Sequence, residues 1–378
     1  MVNPLISIVI PTKNRQKYCI EAVKQILSLN IREIEVCIQD NSDNNSLETR
    51  IGSLKGVVYH YHPGILSFVD NFSEAVSLAS GDFLCMIGDD DGVLSNIIDV
   101  ARYMVDNELD AVIPGLNSIY FWPSENPINE KYRKGYLINT PICVNKRTIN
   151  SLDGLKKLNA NGALDYTNYD LPRLYHGIVR KSRLEDIKNI AGNYFNGLTP
   201  DIYMATALSF VCKKVVRVDF PITISGICPT SGSTDSATGK HTGELEDAPH
   251  FRGHVNYLWD KRIPAFYSVE TIWAETYIKA LSDFKSVELL NSFNLVPLYV
   301  ECLKKYPQFE KIITEASVDN KISLLSSSKK SPINKIVQII YRIIRRFRFG
   351  KSQEYYDVSD ISEAANITYK NLYGVHLI

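Results

Sequence analysis

No run of about 18 apolar residues occurs anywhere in the 378-residue chain. The N-terminal MVNPLISIVIPTKNR has neither a basic n-region nor a long apolar h-region. Neither a membrane span nor a signal peptide is therefore expected. Cysteine is sparse: seven residues (19, 37, 85, 143, 212, 228 and 302) stand singly, with no CxxC and no Cys/His spacing. Free thiols in a reducing cytoplasm are the simplest reading, and a zinc site is not expected. Glycine-rich phosphate loops are missing too, since the first strand is followed by PTKNRQK, without GxGxxG or GxxxxGK[ST]. That excludes a dehydrogenase-type dinucleotide fold and a P-loop.

Net charge is also absent, with 42 Lys and Arg against 42 Asp and Glu. The balance hides an asymmetry, because residues 329–351 hold eight basic residues and no acid. The rest of the chain keeps 34 basic and 42 acidic residues, a net −8. With 45% hydrophobic and 22% charged residues it reads as an ordinary globular chain, long enough for two or three units.

What is present is an alternation of apolar runs and amphipathic segments over the first 121 residues. LISIVI (5–10), EIEVCIQD (33–40), VVYHYH (57–62) and DFLCMIGD (82–89) read as strands, and 15–29, 67–79 and 95–108 as helices. Such alternation implies an α/β fold around a mostly parallel sheet with ligands at the carboxyl ends of the strands. The polar clusters fall at those ends: Pro11, Thr12, Lys13, Asn14 and Arg15 after the first strand, Asp40, Asn41 and Ser42 after the second, and Asp89, Asp90 and Asp91 after the fourth. Clustered carboxylates at a sheet rim suit a hard cation that neutralises a phosphorylated ligand. An isolated DDD is equally well a solvated turn, and its spacing does not fit an EF-hand, which would place Ile87 at the first ligand position.

SIVIPTKNR (7–15), VCIQDNSDNNS (36–46) and NFSEAVSLASGDFLCMIGDDD (71–91) resemble, in order and spacing, the nucleotide-sugar-binding half of glycosyltransferase family 2, a GT-A fold. The resemblance covers roughly residues 5–225 and implies a transferase using a UDP-, dTDP- or GDP-sugar with Mg²⁺ or Mn²⁺. It assigns Pro11, Thr12, Asn14 and Arg15 to the nucleoside side, Asp40 to the base, and Asn71 to the nucleotide-sugar side. Of the DxD-like motif, Asp90 is the expected metal ligand and Asp89 lies on the ribose side, with Asp89 and Asp91 as alternative ligands. The sequence departs from the family pattern at Gly88, which stands where the first DxD acid normally sits. Asp91 also suits a cap-like role before helix 95–108.

An inverting transfer needs a general base on the face opposite the diphosphate. In GLTPDIYMATALSF (197–210), Pro200 suits a first helical turn, Thr199 can cap it, and Asp201 is then held at the helix start. The resemblance makes Asp201 the candidate base, with Asp170 in LDYTNYDLPRLYHG (164–177) the runner-up. Asp201 could equally just offset the helix dipole. His176, Arg173 and Arg180 are candidate acceptor or diphosphate contacts. So are Lys240 and His241, within the polar loop CPTSGSTDSATGKHTGELEDAPH (228–250), which reads as a lid or a linker.

The expected organisation is a catalytic domain over 1–225 (nucleotide-sugar half 1–121, acceptor half 122–225), a loop over 226–251, a helical region over 252–325, a basic amphipathic helix over 332–351 and a tail over 352–378. In the amphipathic segment Ile333, Ile336, Val337, Ile340, Ile344 and Phe347 share one side, and Lys335, Arg342, Arg345 and Arg346 the other. That pattern fits an anionic membrane surface, and docking on the protein's own core or a homodimer contact are the competing readings. No base-reading module accompanies the charge, so nucleic acid is not an expected partner. The combined expectation is a cytoplasmic enzyme at the inner face of the cell membrane that extends a glycan or polyprenyl-linked acceptor of O-antigen or capsule type. A catalytically inactive GT-A scaffold and a sugar nucleotidyltransferase are the alternatives.

Overall fold

The apolar run at the start of the chain forms strand β1 (Ile6–Thr12), in which every residue is buried. It is followed by α1 (Gln16–Ser28), β2 (Ile34–Asp40), β3 (Val57–Tyr61), α2 (Phe68–Ser77) and β4 (Phe83–Met86). The computed structural model describes residues 3–115, 118–125, 127, 129–141, 144–231, 241–246, 248–254, 257–322 and 351–372. Chain order then gives β5 (Gly92–Val93), α3 (Ile97–Asp106), β6 (Ala111–Ile113), β7 (Ser118–Phe121), β8 (Tyr136–Asn139), β9 (Lys146–Ile149), α4 (Ser151–Ala160), β10 (Ile178–Arg180), α5 (Lys181–Ala191), α6 (Pro200–Val211), β11 (Val215–Val218) and β12 (Thr223–Ile227).

The main sheet has the order β3-β2-β1-β4-β10-β6-β11-β9. Its first four strands are parallel, as the strand and helix alternation requires. β10 then runs antiparallel between β4 and β6, and β9 antiparallel beside β11, so the sheet is mixed. Strand β1 is buried on both faces, which is why it reads as a continuous apolar run and not as an alternation. Ile8 and Ile10 join Cys19, Val23, Ile97 and Met104 on one face. Val9 joins Met86, Val76, Met204 and Leu208 on the other.

Residues 110–121 split at Pro114 and Gly115 into β6 and β7, which belong to different sheets. The second sheet, β15-β8-β7-β12-β5, closes with β15 (Gln353–Tyr356). That strand and a helix at Ile361–Leu372 occupy the region read only as a tail. The helix packs Ile361, Ala364 and Leu372 into a core with Leu94, Tyr120, Trp122 and Ile224. Tyr120 Oη donates to Val358 O at 3.0 Å. The C-terminal segment is thus built into the second sheet and its core.

The helices at Val269–Asp283, Val296–Lys305 and Glu310–Asp319 pack on α4 and α6 as a separate core, as the helical pattern predicts. The basic amphipathic segment lies outside the described residues except for Lys351. Among the described residues no helix is long and apolar enough to cross a membrane, and all six described cysteines are buried free thiols.

Ile361 is fully buried. Ile361→Ala should therefore lower the unfolding free energy by about 2–5 kcal/mol in a denaturant titration. An unchanged midpoint would mean that the C-terminal helix contributes nothing to the fold.

Candidate active site

The chain leaves β4, passes through Ile87–Asp91 and enters β5 in the other sheet, so the three aspartates lie where the two sheets meet. All three are at least 95% buried, with relative exposures of 3%, 4% and 1%. Carboxylates held this far from water need partners, and each has a different set.

Asp89 accepts from Thr12 Oγ1 at 2.6 Å through Oδ2, and its Oδ1 faces Arg15 Nη1 at 3.1 Å. Asp90 Oδ2 accepts from Cys228 N at 3.0 Å and pairs with Arg15 Nη2 at 2.6 Å. Trp122 Nε1 donates to the Asp90 carbonyl at 2.8 Å. Asp91 is saturated: it accepts from Gly88 N at 2.6 Å, Tyr175 Oη at 2.9 Å and Gly226 N at 2.7 Å, and it faces His176 Nε2 at 3.3 Å. Burial pushes all three carboxyls above the usual range, and Arg15 opposes the rise at Asp89 and Asp90. For Arg15 burial disfavours the charge, but Asp89 and Asp90 outweigh it and raise its proton affinity.

The glycine at position 88 has a steric cause. A Cβ there would lie 2.8 Å from Tyr175 Oη and 3.0 Å from Asp91 Oδ2, so the Asp91 carboxylate fills the space that a side chain at 88 would need. Gly226 is required in the same way, since a Cβ would overlap the Asp90 carbonyl. An isolated glycine inside a strand marks such a close backbone approach. SGIC at 225–228 carried that signal, which the sequence reading passed over along with Tyr175, Trp122 and the Cys228 backbone.

The other expected residues divide clearly. Thr12 and Arg15 are in the cluster, and their contacts are to aspartates. Pro11 pairs with Gln39 inside the sheet. Asn14 donates to Asp43 at 2.9 Å and binds Ser42 through its backbone, tying the two loops together. Asp40 is fully buried and accepts from Ser42 N at 2.9 Å and Tyr59 Oη at 2.8 Å. Asn71 Nδ2 reaches Thr12 O at 3.5 Å, while its Oδ1 is buried without a hydrogen-bond partner.

His176 is a partner of Asp91 and is not turned to an open cleft. The Nε2–H tautomer donates to Asp91 and accepts from Thr223 Oγ1 at 2.8 Å through Nδ1. Burial, with the nearby Arg173 cation, lowers its pKa to about 3, so it stays neutral. Arg180 is far from the cluster along its strand. Its Nε donates to Leu109 O at 3.0 Å, and its guanidinium lies over the Phe83 ring at 4.8 Å. His241 packs near His250 and Tyr267, and Lys240 lies outside the described residues. Of the loop at 228–250, Thr242–Gly243 pairs with Tyr267–Ser268, and His250 stacks on Phe68 at 4.8 Å.

The two candidate bases differ sharply. Asp170 is held by Arg147 in a two-point pair at 2.8 and 2.9 Å and faces Arg217 at 3.4 Å. Burial raises its pKa, but these cations outweigh that and set it below the usual range, so it binds a proton less readily than a free aspartate. Asp201 sits in the first turn of α6 behind Pro200, although Thr199 makes no side-chain cap. It forms no hydrogen bond or ion pair among the described residues. Burial, with a contribution from Asp91 and an opposing one from Arg173, raises its pKa to about 6.

Asp201 lines a cavity of about 10 Å³ with Met86, Tyr166, Arg173 and Tyr175. The space holds about one water. Arg173 is 7% exposed, and its Nε has no hydrogen-bond partner. An unpaired buried cation beside an unpaired acid is unusual in a settled core. A second pair of cations, Lys13 and Arg252, stands at the same sheet edge, where burial and then the like charge of Arg252 lower the Lys13 proton affinity.

Paired acids beyond the carboxyl ends of a parallel β1-β2-β4 set, with a raised-pKa acid beside a small cavity, stand where open α/β sheets bind their ligands. Residues 7–157 match the model of glycosyl transferase family 2, which covers less than half of the chain. Abequosyltransferase RfbV of Salmonella typhimurium is 31% identical over 114 residues, 28% of this chain and 34% of that one. The match thus spans about a third of that relative. The GalNAc(5)-diNAcBac-PP-undecaprenol beta-1,3-glucosyltransferase of Campylobacter jejuni is 24% identical over 294 residues, covering 75% of this chain and 86% of its own. Among solved structures, S. aureus TarS with UDP-GlcNAc matches at 13% identity and a TM-score of 0.43, over 82% of this chain and 71% of that one.

Restoring an acid at 88 should not improve the site. Gly88→Asp should lower the melting temperature and donor turnover together. Unchanged stability with higher turnover would contradict the steric account.

Proposed function

We propose that the chain is an inverting glycosyltransferase that moves a sugar from a nucleoside diphosphate to a hydroxyl of a lipid-linked glycan in cell-surface polysaccharide assembly. The observation that carries this reading is Asp201: free of hydrogen bonds among the described residues, with a pKa raised to about 6, and beside Arg173, whose Nε has no hydrogen-bond partner. A base tuned to that range is ionised at neutral pH and still binds a proton well enough to draw it from an attacking hydroxyl.

A divalent cation fits the cluster chemically. Asp89 Oδ1 is buried and accepts no hydrogen bond, and two acids share one arginine. Among the described residues no group of three or more His, Cys, Asp or Glu could hold a metal by itself. Mg²⁺ is usually bound by one or two carboxylates together with substrate phosphates, which Asp89 and Asp90 can supply. When bound it would stabilise charge on the departing diphosphate. In the reading proposed, Asp201 takes the acceptor proton, Arg173 beside it contacts the acceptor, and Lys13 and Arg252 attract the nucleotide. A sugar ring exceeds the cavity beside Asp201, so the side chains around Tyr175 move for substrate to enter.

Names of relatives support the acceptor class: one acts on an undecaprenol-linked glycan and another transfers abequose. The basic amphipathic stretch 332–351 would hold the enzyme at anionic lipid. Deleting 332–351 should abolish sedimentation with phosphatidylglycerol vesicles and spare donor hydrolysis. Sedimentation of the truncated chain would refute the anchoring.

Metal-dependent release of nucleoside diphosphate from a panel of UDP-, dTDP- and GDP-sugars tests the main reading. Wild type should release one of them, Asp90→Ala should not, and Asp201→Ala should lose roughly 10²–10⁴-fold in transfer. Equal release by all three proteins would sink the assignment.

The pH dependence follows in sign. The folded pKa of Asp201 lies above the 3.8 of the free side chain, so its ionisation costs stability as pH rises through the interval up to about 6. Asp201→Asn should therefore raise the melting temperature relative to wild type at pH 8 more than at pH 4. Its transfer rate should lose the limb that wild type shows near pH 6. An equal effect on melting at both pH values would contradict the buried-base assignment.

A further inference from the structure

We propose that Arg15 is a built-in counter-cation, which a divalent metal ion must displace from Asp89 and Asp90 before it can bind them. This rests on the metal-assisted reading above and concerns what the chain does before substrate arrives.

The geometry is specific. The guanidinium spans two acids instead of gripping one: Nη1 lies 3.1 Å from Asp89 Oδ1, and Nη2 lies 2.6 Å from Asp90 Oδ2. The remaining positions on those groups are largely taken, Asp89 Oδ2 by Thr12 and Asp90 Oδ2 by the Cys228 amide. A cation bridging the pair from the cleft would have to use Asp89 Oδ1, the atom that Arg15 covers. Two positive charges cannot share that small buried volume without strong repulsion.

Arg15 is also held less completely than the acids it serves. Its side chain is 22% exposed against 4% and 5% for Asp89 and Asp90. Its Nε is buried without a hydrogen-bond partner. Asp89 Oδ1, although it faces the guanidinium, accepts no hydrogen bond. Of these two orphaned atoms, Asp89 Oδ1 lies at the contact itself. An arginine well fitted to one acid would instead form a two-point pair, as Arg147 does on Asp170. Arg15 immediately precedes α1, with its carbonyl accepting from the Tyr18 and Cys19 amides, so its backbone is fixed. Release of the side chain breaks its Nη2 contact with Cys228 Sγ at 3.0 Å as well as the two acid contacts.

Two consequences follow. The protein folds without metal, because Arg15 supplies the charge the acids need. Metal affinity without nucleotide is weak, because each ion must expel an internal competitor.

The test is Mn²⁺ binding to the full-length protein without nucleotide, read by electron paramagnetic resonance, for wild type, Arg15→Gln and Arg15→Lys. Arg15→Gln should bind Mn²⁺ at least tenfold more tightly than wild type. Mn²⁺ should also raise its melting temperature by more than it raises that of wild type. Arg15→Lys, which keeps a charge and folds if the neutral variant does not, should fall between the two. Adding Asp90→Asn should remove the gain. Equal or weaker binding by Arg15→Gln overturns the proposal. If wild type nevertheless releases nucleoside diphosphate from a donor in a metal-dependent manner, the functional reading survives that failure. If no protein binds Mn²⁺ and no donor is turned over, both fall together.

Discussion

The arrangement at the centre of this protein depends on one buried ion bridge, Arg15 between Asp89 and Asp90. Three adjacent carboxylates with almost no exposure would repel one another and resist burial. One guanidinium cannot neutralise three acids, so the fold divides the task. Arg15 serves Asp89 and Asp90, while two backbone amides, a tyrosine hydroxyl and a histidine serve Asp91. Asp91 thereby becomes part of the frame, and the other two keep the unsatisfied charge that a ligand can use. Removing one partner from such a buried pair typically costs about 3–5 kcal/mol, which sets the scale of the constraint.

The scaffold follows from that need. β1 supplies Thr12 and the loop after it Arg15, β4 delivers the aspartates, and β12 brings the Gly226 and Cys228 amides from the second sheet. Those amides reach the acids only because Gly226 has no Cβ to strike the Asp90 carbonyl. The helix Ile361–Leu372 packs behind β5 and β12 and supports the seam from outside. Asp201 enters from α6 on the other face of the main sheet, beside Arg173 and Tyr175. Metal-side and base-side groups therefore come from distant parts of the chain and converge on one edge.

Much of the first half was legible because its signals are local. β1, β2, β3 and β4 are short apolar runs ended by polar clusters, and α1, α2 and α3 show helical spacing, so their boundaries fall within a few residues of those expected. The antiparallel insertion of β10 was not legible, because three residues carry no orientation by themselves. Nor was the C-terminal strand and helix, whose pairing with β8 is decided more than 200 residues away. In the site, residue types were readable and their partners were not. Asp170 and Asp201 look alike in sequence, yet Arg147 pairs with one, and among the described residues the other has no hydrogen-bond partner. Arg15 was assigned to the nucleoside side because its loop position is local information, whereas its contact with Asp89 and Asp90 spans some 75 residues.

The central claim is that Asp89 and Asp90 make nucleotide binding depend on a cation. Isothermal titration of UDP, dTDP and GDP into the full-length protein, in Mn²⁺ and again in excess EDTA, tests it most directly. One nucleotide should bind in Mn²⁺, with its heat lost in EDTA and lost again in Asp90→Ala. Binding of equal affinity in EDTA, or undiminished in Asp90→Ala, would contradict the account.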